Sequence, residues 1–157
     1  AIAACTSPGA WYFKSLGCAL LGCGRTREAQ AAFGRAAGHG GIVTPWPEGT
    51  CPDPWTAAYF LDRVTAERYI AHHAKLLWTG RTMAPFALYY VGMRAEFEGR
   101  RADAIDAYER AAAYAGQPNA HHTAHWAQYR LVRLRAALDG PEPAPASAAS
   151  SANSGDS

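Results

Sequence analysis

An all-α fold of repeated helix pairs is what this sequence predicts, on three observations. Apolar residues recur at helical spacing along most of the chain, with little strand-like alternation. Glycine and proline punctuation divides these stretches into about six helices. Finally, a set of positions in the first two helices recurs, type for type, at a constant offset of 75 residues.

Taken in order, a first helix is expected from about Pro8 to Leu21, ended by the turn "GCGR". Thr26 has the hydroxyl an N-cap needs, and a second helix follows to about Ala37. The stretch "GHGGIVTPWPEGTCPDP" is dense in Gly and Pro and reads as a long irregular loop, with Trp46 anchoring it on the body. Asp53-Pro54 is a helix start, a cap residue followed by proline in the first turn. It opens a long third helix to about Trp78, with an apolar stripe through Trp55, Ala58, Tyr59, Ala66, Tyr69, Ile70 and Leu77, closed by Gly80. A fourth helix runs from about Pro85 to Glu98 and a fifth from about Ala102 to Ala115. After the break at "GQPN" a sixth, from about Ala120 to Leu138, buries Ala120, Ala124, Ala127, Leu131, Leu134 and Leu138. The domain is therefore expected over residues 1–139, with repeats at about 10–38 and 85–115, a long helix at 54–78 and a terminal helix at 120–138. Residues 140–157, "GPEPAPASAASSANSGDS", are of low complexity and read as a disordered tail.

The bulk numbers exclude several functions. At 157 residues and 49% hydrophobic, the chain is one domain or a piece of one, with enough apolar surface for a core. A formal charge of +2 is too small to argue for nucleic acid. No apolar run approaches the roughly 20 residues of a membrane span. No signal peptide is evident, and the absence of an initiator Met reads as a cut from something longer, so a lost leader stays open. Cys5, Cys18, Cys23 and Cys51 form no C-x-x-C pair and no zinc spacing, and are read as reduced intracellular thiols.

At the 75-residue offset, Leu16, Gly17, Leu20, Gly24, Ala29, Phe33 and Ala36 fall on Val91, Gly92, Ala95, Gly99, Ala104, Tyr108 and Ala111. Each position has a physical reason. Gly17 and Gly92 let the second helix cross the first closely, at a cost of about 1 kcal/mol in helix propensity. Gly24 and Gly99 end the first helix of each pair in a tight turn. Ala29 and Ala104 sit at the crossing, while Phe33 and Tyr108 fill the space between one pair and the next.

These residues, in "LGCALLGCGRTREAQAAFGRA" and "VGMRAEFEGRRADAIDAYERA", resemble the tetratricopeptide repeat. The family period is 34 residues, so an offset of 75 implies an inserted loop and a degenerate middle unit occupied by the long helix. Neither stretch ends in the family's usual proline. More narrowly, "FKSLGCALLGCGRTREAQAAFGRA", "PFALYYVGMRAEFEGRRADAIDAYERAAAYA" and "HHTAHWAQYRLVRLRAAL" resemble, in that order, the C-terminal region of the family of tetratricopeptide-repeat protein thirty-nine, which has a fungal outer-mitochondrial-membrane member implicated in inclusion clearance. The loop before Asp53 does not fit that family.

The resemblance implies a superhelix whose concave side, lined by the first helix of each pair, takes a peptide or a helix. Carried over by position, it places Trp11, Lys14, Ser15 and Cys18 there from the first repeat, and Phe86, Tyr89, Tyr90, Met93, Glu96 and Phe97 from the second. That surface is expected to be aromatic and poor in charge, with Tyr89 and Tyr90 partly exposed; packing of Phe86 and Phe97 within the chain is the competing reading. A carboxylate clamp is not expected, because Cys18 stands where the family has Asn.

His121 and His125 are four residues apart and would share a helix face, with His72 and His73 as further candidate ligands. The catalytic Glu of a metalloprotease motif is missing, so no metal, cofactor or catalytic residue is assigned. Arg130, Arg133 and Arg135 read as a solvated face, or as a contact for an acidic partner or lipid headgroups. The expected function is a non-catalytic scaffold or adaptor for a protein partner, in the cytoplasm or on the cytosolic face of an organelle membrane. The alternatives are a capping or self-association region of a larger repeat protein, and a metal-dependent enzyme built on the histidines.

Overall fold

The structure is a computed structural model that describes residues 8–38, 52–78 and 80–139. The expected loop at 39–51, with Trp46, and the expected tail at 140–157 lie outside the described residues, as do Cys5 and Cys51; Cys18 and Cys23 are free thiols.

Among the described residues, seven helices and one short hairpin follow in order: α1 (Pro8–Gly22), α2 (Thr26–Gly38), α3 (Pro52–Phe60), α4 (Ala66–Ala74), β1 (Leu77–Trp78), β2 (Arg81–Thr82), α5 (Ala84–Phe97), α6 (Arg101–Ala112) and α7 (Thr123–Asp139). The protein is all-α, with a single antiparallel β ribbon among the described residues. Each helix packs on the next, and α1, α3, α5 and α7 also pack on one another in series. The odd-numbered helices therefore form an inner layer and α2, α4 and α6 an outer one. None of the helices among the described residues is long and apolar enough to cross a membrane.

The 75-residue repeat has the geometry its residues require. A Cβ on Gly17 would lie 2.6 Å from the Phe33 ring, and one on Gly92 would lie 2.7 Å from the Tyr108 ring. Ala29, Ala36, Ala104 and Ala111 are completely buried at the crossings. Phe33 stacks on Phe60 of α3 at 4.7 Å, joining the first pair to the second. Tyr108 packs beside Tyr89 and donates its hydroxyl to Glu96 at 2.9 Å.

The expected long helix at 54–78 is two helices, and this corrects the expectation of six. After Phe60 the chain turns at Asp62, whose φ is +58°. The Arg63 N–H donates to the Ala58 carbonyl and the Asp62 N–H to the Tyr59 carbonyl. The same two-bond turn closes α1, from Arg25 to Leu20 and Gly24 to Leu21, and α5, from Arg100 to Ala95 and Gly99 to Glu96. Three pairs thus share one closure, at Gly24, Asp62 and Gly99, spaced 38 and 37 residues apart. The middle unit is a full helix pair, so the offset spans two units. Thr65 caps α4 by accepting the Arg68 N–H at 3.3 Å, and Glu67 sits in its first turn.

The middle pair carries large residues where its neighbours carry small ones. Counted from the shared turn, Trp55 takes the place of Gly17 and Gly92; counted from the start of α4, Tyr69 takes that of Ala29 and Ala104. This pair is held by aromatic stacking, with Trp55 on His72 at 3.9 Å and Tyr59 on Tyr69 at 4.8 Å. A buried hydrogen bond joins Thr56 Oγ1 and Tyr69 Oη at 2.7 Å.

What was expected as the end of the long helix is the β1–β2 hairpin, with Trp78 opposite Arg81 and Gly80 at φ +76°. Thr82 donates its N–H to the Asn119 carbonyl at 2.8 Å, tying the hairpin to the segment before α7.

The turn glycines yield a stability prediction. At Gly99 a Cβ would meet no atom within 4 Å, yet φ is +73°. Gly99→Ala should therefore lower stability by about 1 kcal/mol through backbone strain alone, read as a shifted urea midpoint at unchanged m-value.

Candidate functional site

The inner layer carries a groove between α1, α5 and α7. On α1, Trp11, Lys14 and Cys18 stand at helical spacing on one face. Facing them on α5 are Phe86, Tyr90, Met93 and Phe97; α7 adds Trp126 and Arg130, and His122 adds to the wall from the turn just before α7. The groove has two hollows. One, of about 250 Å³, lies at the end near Trp11, Phe86 and Trp126. The other, of about 590 Å³, lies along Cys18, Met93, Glu96 and Arg130.

The structure brings eight of the ten groove residues expected from the sequence to the walls of these two hollows: Trp11, Lys14, Phe86 and Tyr90 in the first, and Cys18, Met93, Glu96 and Phe97 in the second, while Ser15 lines neither. Tyr89 is the other exception. It turns away to pack edge-on against Trp126 and beside Tyr108.

The expected partial exposure of Tyr89 and Tyr90 is overturned: each is only 7% exposed. An α-helix has room for both to be buried here because α5 is covered on two sides, by α7 over Tyr89 and by α1 and α3 over Tyr90. Phe86 is buried as well, stacked on His73 and meeting His121 edge-on. Trp11, in contrast, is 60% exposed.

The expectation of few charges also changes. Lys14 is buried, with its Nζ 2.8 Å from Asp53 Oδ1 and poised over the Phe86 and Tyr90 rings at 5.4 and 4.9 Å. Burial penalises the ammonium, but Tyr90 and Asp53 outweigh it and the lysine pKa is raised. Beside it, burial pushes the Cys18 thiol up to about 11, with Lys14 opposing and Asp53 adding to the shift. Cys18 is therefore a neutral thiol at neutral pH, without the thiolate that nucleophilic chemistry requires.

At the far side of the groove, Glu96 accepts from Tyr108 Oη at 2.9 Å and pairs with Arg130 at 3.2 Å. Arg135 pairs with Glu109, and Arg133 lies over the Tyr129 ring at 6.0 Å. Two of the three α7 arginines thus have acidic partners within the chain, and the solvated face expected there is narrower than the sequence suggested.

The expected face shared by His121 and His125 does not form, because α7 begins at Thr123 and leaves His121 in the turn before it. Thr123 donates its N–H to His121 Nδ1 at 3.4 Å, and the two histidine rings at 121 and 122 lie 3.9 Å apart. Burial, with His122, Arg81 and Lys14 adding to it, pushes the His121 pKa down to about 4. His72 and His73 are buried against Trp55 and Phe86, not beside this pair. Among the described residues no group of three or more His, Cys, Asp or Glu side chains is placed to hold a metal ion.

Asp53, Trp78, Trp126 and Arg130 are site residues that sequence reasoning did not assign to the groove. Asp53 carried a signal only for a helix start. The His122, Trp126, Arg130 spacing was legible, but only the placement of α7 turns that face inward. No protein-family model, curated protein or solved structure matches this chain.

Proposed function

We propose that this chain is a non-catalytic interaction scaffold of the tetratricopeptide-repeat type, holding a peptide or helix of a protein partner along the α1–α5–α7 groove inside the cell. The observation that carries the reading is the groove itself. Its walls combine Met93, Phe97 and Leu21, which offer adaptable apolar contact, with the Glu96–Arg130 pair as a polar handle. The repeat positions that built the helix pairs also account for it, since the first helix of each pair faces inward. Such a groove suits an amphipathic helix or an extended segment better than nucleic acid, given the formal charge of +2.

The test uses Ala19, an exposed groove residue. Ala19→Trp fills the larger hollow without touching the core. In a displayed-peptide selection, peptides enriched on the wild type are expected to bind the variant at least tenfold more weakly, with the melting temperature unchanged. Peptides that bind both chains equally would refute the groove.

One observation favours a second reading, a capping or self-association surface. Trp126, Tyr129 and Val132 on α7 are 49%, 64% and 67% exposed and form an apolar row where a further helix pair or a second copy would stack. Sedimentation at increasing concentration reads this out.

A further inference from the structure

We propose that the smaller hollow, at the end of the groove near Trp11, is a binding site of its own for a small aromatic carboxylate. Its volume of about 250 Å³ is below the 300–1,000 Å³ of pockets for drug-sized ligands, and suits one ring with a short arm. Trp11, Trp78, Phe86, Tyr90 and Trp126 supply aromatic walls from four different elements. Flat walls of this kind select a flat ligand, through offset or edge-on ring contacts.

Charge decides which kind. The Lys14 ammonium lies at the wall with three N–H donors, of which Asp53 and Tyr90 take two. Among the described residues the third has no partner and stands ready for a ligand oxygen. Arg81 adds a second positive charge close enough to depress both neighbouring histidines. Among the described residues that line the hollow, one carboxylate, Asp53, stands against these two cations. A cationic ligand would find good aromatic faces here, but Lys14 already occupies those of Phe86 and Tyr90. The surplus of positive charge and donors favours an anion.

A buried lysine pair is also a poor way to hold helices together, since well-packed apolar residues do as well or better. The first and third pairs close their own crossings with Gly and Ala, and the middle pair with stacked aromatic rings. A ligand that uses the charge accounts for its place here.

Fluorine NMR on the full chain tests the site with three probes of one shape: para-fluorophenylacetate, its neutral amide, and para-fluorophenethylamine. The carboxylate is expected to bind at least tenfold more tightly than either of the others. Trp11→Ala and Trp126→Ala each truncate a partly exposed wall, so the fold survives, and each should weaken carboxylate binding at least tenfold. Ala19→Trp, in the other hollow, should leave it unchanged, so this site and the peptide groove stand or fall separately. Three outcomes overturn the proposal: a preference below tenfold, no binding of the carboxylate at millimolar concentration, or full binding by both tryptophan variants.

Discussion

Gly92→Ala is expected to destabilise the protein by up to about 2 kcal/mol, although alanine is the best helix former and glycine among the worst. Gly92 lies inside α5, where the intrinsic gain from alanine is about 1 kcal/mol. Against it stands the Tyr108 ring, with three atoms between 2.7 and 3.1 Å from the new Cβ. Tyr108 is completely buried and its hydroxyl is held by Glu96, so the ring has nowhere to retreat. Overpacking of this kind costs about 1–3 kcal/mol, which exceeds the propensity gain. Gly92→Leu, which drives a whole side chain into the crossing, should cost about 3 kcal/mol or more. Gly34→Ala is the control. It makes the same chemical change inside α2, where no atom lies within 4 Å of the new Cβ, and it should stabilise by about 1 kcal/mol. Urea denaturation of the three variants reads the contrast. Equal effects at Gly34 and Gly92 would mean that close helix approach is not what the repeated glycine provides.

Asp53→Ala is expected to cost about 3–5 kcal/mol at neutral pH, because it leaves the Lys14 ammonium buried without its counter-charge. Part of any loss comes from removing an acid in the first turn of α3, worth about 0.3–1 kcal/mol. The pH dependence separates the two. In the wild type, folding raises the Lys14 pKa. Its contribution is therefore complete below the unfolded value of about 10.4, and is lost as pH rises through the folded value. Without Asp53 only Tyr90 is left to support the ammonium, and burial raises the Tyr90 pKa, so its phenol is neutral here; burial then dominates and the folded Lys14 pKa drops below about 10.4. Between those two values the unfolded chain binds more protons, so the stability of the variant should rise with pH. Urea midpoints measured from about pH 7 to pH 10 should climb for Asp53→Ala while the wild type stays level. Parallel profiles would show that the pair does not hold the lysine charge.

The helix pairs were legible because their signals are local or repeat at a fixed spacing. Helical periodicity, the turn at Gly24 and again at Gly99, and the small residues at Gly17, Ala29, Gly92 and Ala104 all concern neighbours within about one helix hairpin. The break at Asp62 was missed because the αL position there is filled by a residue with a Cβ, where the other two turns use glycine. The Thr65 cap followed by Glu67 was available as a start signal, but the apolar stripe running through both helices masked it. In the same way, a helical spacing between His121 and His125 held no information about where α7 begins.

What the sequence by itself determined, then, is the class of fold, the pairing of α1 with α2 and α5 with α6, and which helix faces carry the groove residues. These follow from backbone propensity and from steric limits at a crossing, which act over a few residues. Tertiary structure alone decided that Tyr89 and Tyr90 are covered, that Lys14 answers to Asp53, that Glu96 holds both Tyr108 and Arg130, and that the hairpin at Trp78 and the start of α7 wall off the smaller hollow. Each of those facts joins residues from separate helices. Burial and charge pairing depend on which elements meet, and that is set by the stacking of all the pairs together.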